Sequence, residues 1–189
     1  MNKKIVIFIG LILIAALIIG LSLFLPKTDS TKPQDGSATA TPAAVTEESD
    51  VTQLGCIVYD VNGNEVNINN FIGKPMVINF WTSWCEPCKE EMPNFQKAYK
   101  KYGSQVQFLI INATGDPDET VEKASAVISK KGYTFPVFYD TDENAAKKYE
   151  LSSLPSTLFI DKAGNVALTT SGACSTDELE QGINFVLNK

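Results

Sequence analysis

The chain has 189 residues, 16 of them basic and 22 acidic, for a net charge of −6, and it contains no histidine. Every basic residue is a lysine; arginine is absent. That balance argues against nucleic acid as a partner, and the missing side chains exclude imidazole catalysis and bidentate phosphate recognition.

Met1-Asn2-Lys3-Lys4 precedes an uncharged apolar run from Ile5 to Leu25. As a helix rising about 1.5 Å per residue, the run spans roughly 30 Å, enough for a bilayer core. A cleaved signal peptide is the rival reading. Its apolar region is usually shorter, about 7–15 residues, and ends in small residues. This run ends in Ser22-Leu23-Phe24-Leu25-Pro26, and no cysteine follows it to carry a lipid. The reading is a cytoplasmic tip at residues 1–4, an uncleaved transmembrane anchor at 5–25 and the remainder outside the cytoplasm, as Lys3 and Lys4 dictate. Residues 26–50 are rich in Thr, Ser, Ala, Pro and acidic side chains with little to bury, and read as a flexible linker. Residues 51–189 are long enough to form one domain with a sizeable core, and no repeat interrupts them.

Within that domain, Gly55–Tyr59 and Glu65–Ile68 read as short strands around an Asn62-Gly63 hairpin turn. Met76–Thr82 is a near-continuous apolar run, the pattern of a central strand buried on both faces. A helix is predicted from Glu86 to Tyr102, with Pro93 as a kink point. Val106–Ala113 is a second buried strand. Asp116 reads as an N-cap with Pro117 at the first helical position, opening a helix to Lys131 that stops at Gly132. Pro136–Tyr139 is a strand and Glu143–Tyr149 a short helix. Thr157–Asp161 and Val166–Thr170 pair across a Gly-containing turn, and Ser175 with Glu178 forms a capping box for the last helix. Parallel βαβ units followed by an antiparallel hairpin and a helix fit a three-layer α/β sandwich with an N-terminal β-hairpin extension.

The chemistry lies in Trp84-Cys85-Glu86-Pro87-Cys88, on the turn between the central strand and the next helix. Unpaired N–H groups and the positive end of the helix dipole stabilise a thiolate at Cys85. Cys88, one turn on, faces the same way and can close a small disulfide ring. Pro87 suits a first turn, where no donor is needed. Two other readings of the pair fail on sequence. A zinc site needs further Cys or His ligands at workable spacing, and a haem attachment needs histidine where Lys89 stands.

The stretch Phe80-Trp81-Thr82-Ser83-Trp84-Cys85-Glu86-Pro87-Cys88-Lys89-Glu90-Glu91-Met92-Pro93 resembles the active site of the membrane-anchored TlpA/ResA-type thioredoxin-like proteins. Leu151 to Ile160 resembles the same family's cis-proline loop and following strand. The resemblance runs from about Val51 to Lys189, is strong at these motifs and diffuse between them. It implies a thioredoxin-like fold, a cis bond before Pro155, and a backbone at Leu154 that pairs with an extended substrate. It departs from cytoplasmic thioredoxins at Asn79, where those carry a buried aspartate.

Cys85 is then the candidate nucleophile and Cys88 the candidate resolving thiol. Glu91 lies three residues after Cys88 on the same helical face. The resemblance implies that it sits by the disulfide, tunes the thiols and relays a proton. A carboxylate there raises a neighbouring thiol pKa. The plainer alternative is a residue that only complements the helix dipole, as Glu90 does. Trp84, Glu86 and Pro87 are candidate substrate contacts, with Trp84 half exposed and Trp81 in the core. Cys56 and Cys174 are either two free buried thiols or a structural disulfide tying the first strand to the last helix.

The resulting expectation is a membrane-tethered monomer that reduces protein disulfides without a cofactor or metal. The resemblance implies a membrane electron donor and apocytochrome c as a substrate. A disulfide-introducing oxidase, a thiol peroxidase (Thr82 with Cys85) and a copper-binding assembly factor are the competing functions. The peroxidase lacks an arginine and the copper factor a histidine ligand.

Overall fold

The computed structural model describes residues 55–189. The predicted tip, anchor and linker, and residues 51–54 of the predicted domain, lie outside the described residues. Seven strands form one mixed sheet: β1 Ile57–Tyr59, β2 Glu65–Asn67, β3 Met76–Trp81, β4 Gln107–Asn112, β5 Val137–Tyr139, β6 Ser156–Ile160 and β7 Val166–Ser171. Their spatial order is β2-β1-β5-β4-β3-β6-β7. The pairs β3/β4 and β4/β5 are parallel, and the remaining neighbours are antiparallel.

All six residues of β3 are buried, because the strand lies inside the sheet with helices over both faces. Val77 and Trp81 join one core cluster, with Met92 and Phe95 of helix α1 (Glu86–Tyr102), Ala124 of α2 (Val121–Lys131) and Ile183 of α4 (Thr176–Leu187). Met76, Ile78 and Phe80 point the other way, into a second cluster. That cluster includes Ala145 of α3 (Asn144–Lys148) and Ile68 of a 3-10 turn (Ile68–Phe71). Period-2 alternation along β3 thus separates two cores. The result is the three-layer, thioredoxin-like arrangement implied by the resemblance.

Local chemistry sets most boundaries. Helix α1 runs unbroken through Pro93. Gly132, at φ 67°, takes the left-handed conformation that ends α2. Ser175 and Glu178 form the predicted capping box. Most boundaries fall within a residue or two of expectation, and two of the differences have a visible cause. The predicted second strand gives way at Ile68 to the 3-10 turn, because Asn67 caps that turn with its side chain. Helix α2 begins five residues after Asp116, at Val121, capped by Thr120 Oγ1 on the Lys123 N–H at 3.2 Å. Asp116 accepts instead from the Asp118 N–H at 2.9 Å, closing a tight turn of its own. The Glu119 side chain, which a helix would carry outward, turns to the backbone of Ser83.

Gly182 of α4 packs directly on the ring of Phe159 in β6, and a Cβ built there collides with three ring atoms. Phe159 is 1% exposed, so its ring has nowhere to move. Alanine is the better helix former by about 1 kcal/mol, yet overpacking a core costs about 1–3 kcal/mol. Gly182→Ala should therefore lower the urea midpoint with an unchanged m-value. An unchanged or raised midpoint would show that Phe159 can move aside.

Candidate active site

Cys85 is the N-cap of α1, with extended φ and ψ of −76° and 104°. It forms a disulfide with Cys88, with Cα atoms 5.3 Å apart. The Cys88 N–H lies 3.3 Å from Cys85 Sγ. A helix N-terminus thus presents a donor to the sulfur on which a thiolate would form. Cys85 is 5% exposed and Cys88 fully buried, so Cys85 is the sulfur closer to solvent. Glu86 is paired with Lys89 at 2.7 Å, and Pro87 occupies the first helical turn.

The Leu154–Pro155 peptide bond is cis. Leu154 packs against the core cluster that contains both active-site cysteines. Trp84 is 52% exposed and Trp81 fully buried, as expected. Between Trp84 and Leu154 opens a cleft of about 600 Å³, walled also by Pro117 and Leu151 and bordered by Asp116 and Glu150. Trp84, the residue before Cys85, is one of its walls. Glu86 faces a separate groove on the other flank, with Lys89, Pro93, Lys130 and Tyr133.

Glu91 is the buried carboxylate of the site, 3% exposed. Its Oε1 accepts from the Asn79 amide at 2.8 Å and its Oε2 from the Cys174 N–H at 2.6 Å. Burial pushes its pKa up to about 7, and the two donors only partly oppose that. Neither partner is evident from the sequence, where Asn79 stands out only as a position without a carboxylate. A polar residue within an otherwise apolar strand was the available signal. Glu119 was missed as well; buried, it accepts from the Ser83 N–H and steadies the turn that leads into Trp84.

Of the two readings of Cys56 and Cys174, the structure shows the free thiols and not the disulfide. Both residues are free, buried thiols. Cys56 belongs to the cluster with Ile78, and Cys174 to the cluster with Val77 and the active-site pair. The sheet stands between them, and no disulfide joins them. Burial first, then the Asp140 charge, raises the Cys56 pKa to about 11. Burial first, then Glu91, raises that of Cys174 to about 12.

Fold, helix-capping dithiol and cis-proline loop together define a thiol–disulfide oxidoreductase of the thioredoxin-like class. The chain belongs to the AhpC/TSA family, which it matches over residues 48–169. It is homologous to the thiol–disulfide oxidoreductase ResA of Geobacillus kaustophilus, 32% identical over 131 residues, which cover 69% of this chain and 73% of that protein. ResA of Bacillus subtilis is 31% identical over 144 residues, 76% of this chain and 77% of the relative. Among solved structures, StoA from Bacillus subtilis superposes with a TM-score of 0.59 at 25% identity, covering 67% of this chain and 94% of that one. MTB DsbF gives 0.64 at 25% identity, with coverage of 71% and 97%.

Proposed function

We propose that this oxidoreductase is a membrane-tethered, extracytoplasmic reductant of protein disulfides. The observation that carries the direction is Glu91, a buried carboxylate held by two neutral donors at the active-site helix. A dithiol becomes a strong oxidant when its reduced, thiolate form is stabilised. A carboxylate one turn from Cys88 does the opposite. It makes the thiolate less favourable and the dithiol a better electron donor.

The reaction runs in two exchanges. The Cys85 thiolate attacks one sulfur of the substrate disulfide, forming a mixed disulfide and releasing the first substrate thiolate. Cys88 then loses its proton to Glu91 and attacks Cys85 Sγ. The second substrate thiolate leaves, and the Cys85–Cys88 disulfide closes. Two electrons have passed to the substrate. Trp84 offers an apolar wall, Leu154 beside Pro155 a backbone edge, and Glu86 and Pro87 the rim of the helix N-terminus. The Ile5–Leu25 run supports the tether, and a membrane dithiol donor would restore the reduced state. Apocytochrome c, implied by the family resemblance, is the proposed substrate. Glu91 disfavours the oxidase reading, since it opposes the thiolate an oxidant must stabilise.

One experiment tests tether, topology and direction together. Intact cells are treated with a membrane-impermeant maleimide, and their membranes are then washed with high salt. The full-length chain should stay in the membrane fraction with Cys85 labelled. A processed soluble protein, or an unlabelled disulfide form as the main species, would overturn the proposal.

A further inference from the structure

We propose that Asn79 is a positioning residue that ties the proton-handling carboxylate of Glu91 to the strand leaving the cis-proline loop. The inference rests on the relay role proposed for Glu91 and adds what holds that carboxylate in place.

Asn79 is central in β3 and 1% exposed. Its amide nitrogen carries two hydrogens and uses both. One goes to Glu91 Oε1 at 2.8 Å, the other to Thr157 Oγ1 at 3.1 Å. Thr157 is fully buried and is the register partner of Asn79 across the antiparallel β3/β6 pair. It lies two residues after Pro155, and its neighbour Ser156 donates its hydroxyl to the Ser153 carbonyl at 2.8 Å, across the same loop.

The other oxygen of Glu91 is held from the same direction. Cys174 donates its N–H to Oε2, and two residues earlier the Gly172 N–H bonds the Pro155 carbonyl at 2.8 Å. Each carboxylate oxygen thus connects to the cis-proline loop through hydrogen bonds and two residues of backbone. A strand that pairs with Leu154 presses on the loop that also anchors the proton acceptor.

Asparagine suits this position because its amide gives two donors without charge. A lysine would pair with Glu91 and keep it ionised. An aspartate would compete with Glu91 for one proton. The titratable groups facing Glu91 are few: the Cys174 thiol, itself beside Glu178, and the active-site thiols once reduced. None of the three ion pairs among the described residues includes Glu91.

The test measures single-turnover disulfide reduction against pH on the full-length chain. Wild type is compared with Asn79→Leu, Thr157→Val and Glu91→Gln, alongside the carboxyl ¹³C shift of Glu91. A hydrogen bond to a charged group contributes about 1.5–3 kcal/mol, which converts to roughly one to two pH units. Asn79→Leu should therefore raise the Glu91 midpoint by about that much. Thr157→Val, close in shape to threonine, frees the second amide hydrogen and should raise it less, in the same direction. It carries the test alone if Asn79→Leu does not fold. A merely structural role would lower thermal stability and leave these midpoints in place. Unchanged midpoints in folded Asn79 and Thr157 variants, with a shifted Glu91→Gln profile, overturn this inference and leave the relay intact. A Glu91→Gln profile identical to wild type removes the relay and this inference with it.

Discussion

Cys88→Ser should stall the enzyme on its substrate, whereas Cys85→Ser should leave almost nothing attached. The asymmetry follows from position. Cys85 caps α1, receives the Cys88 N–H at 3.3 Å and is the more exposed of the two sulfurs. It therefore holds the thiolate and meets the substrate first. Without Cys88 the mixed disulfide forms and nothing resolves it, so substrates accumulate covalently on Cys85. Without Cys85 the remaining thiol is fully buried and lacks the N-cap position. Losing a nucleophile commonly lowers turnover by about a thousandfold or more, and both variants should fall by that order in steady-state reduction. Non-reducing electrophoresis after alkylation separates them. Equal trapping by both variants would reverse or dissolve the assignment of roles.

Glu91→Gln should change both the chemistry and the stability of the domain with pH. Above pH about 7 the Glu91 carboxyl is ionised and opposes a thiolate on the same helix. Glutamine keeps the shape and removes that charge, so the thiol midpoint should fall, by about one unit if the coupling is near 1.4 kcal/mol. Reduction should slow nevertheless, because Cys88 loses its proton acceptor. Stability follows a separate sign. The pKa of Glu91 is raised by folding, from 4.5 to about 7. The native state therefore holds the proton more tightly than the unfolded chain. That stabilisation is complete below pH 4.5 and is lost as pH rises through 7. The difference is on the order of 3 kcal/mol. Wild type should weaken across that window in denaturant titrations while Glu91→Gln stays level. Parallel curves would place Glu91 in solvent.

The parts of this fold that depend on local pattern were readable in advance. The apolar run Met76–Trp81, the Ser175–Glu178 box and the Asn62-Gly63 turn each carry their physical cause within a few residues. So does the dithiol, whose chemistry comes from its place at a helix start. The helix start at Asp116 was misread because Asp116 satisfies a local cap rule, whereas the cap in the structure is Thr120, four residues on. The residue before that cap, Glu119, accepts a long-range bond from the Ser83 N–H, which no local pattern announces. The grip on Glu91 was invisible for a related reason. Asn79 lies twelve residues away and Cys174 eighty-three, and no periodicity connects them. The separation of Cys56 from Cys174 depends on which face of the sheet each occupies, which emerges only once the strands are ordered.

That separation has a consequence for how the chain matures. Four cysteines can form two bridges in three ways, and an unfolded chain would be open to all of them under oxidising conditions. Closure of the sheet removes the choice. Cys56 ends on one side and Cys174 on the other, each buried and with its pKa raised to about 11 or 12. Only the Cys85–Cys88 ring remains available to exchange. Folding thus acts as an insulator between a working pair of thiols and two silent ones. Oxidation before folding would produce chains cross-linked through residues that the native protein never uses.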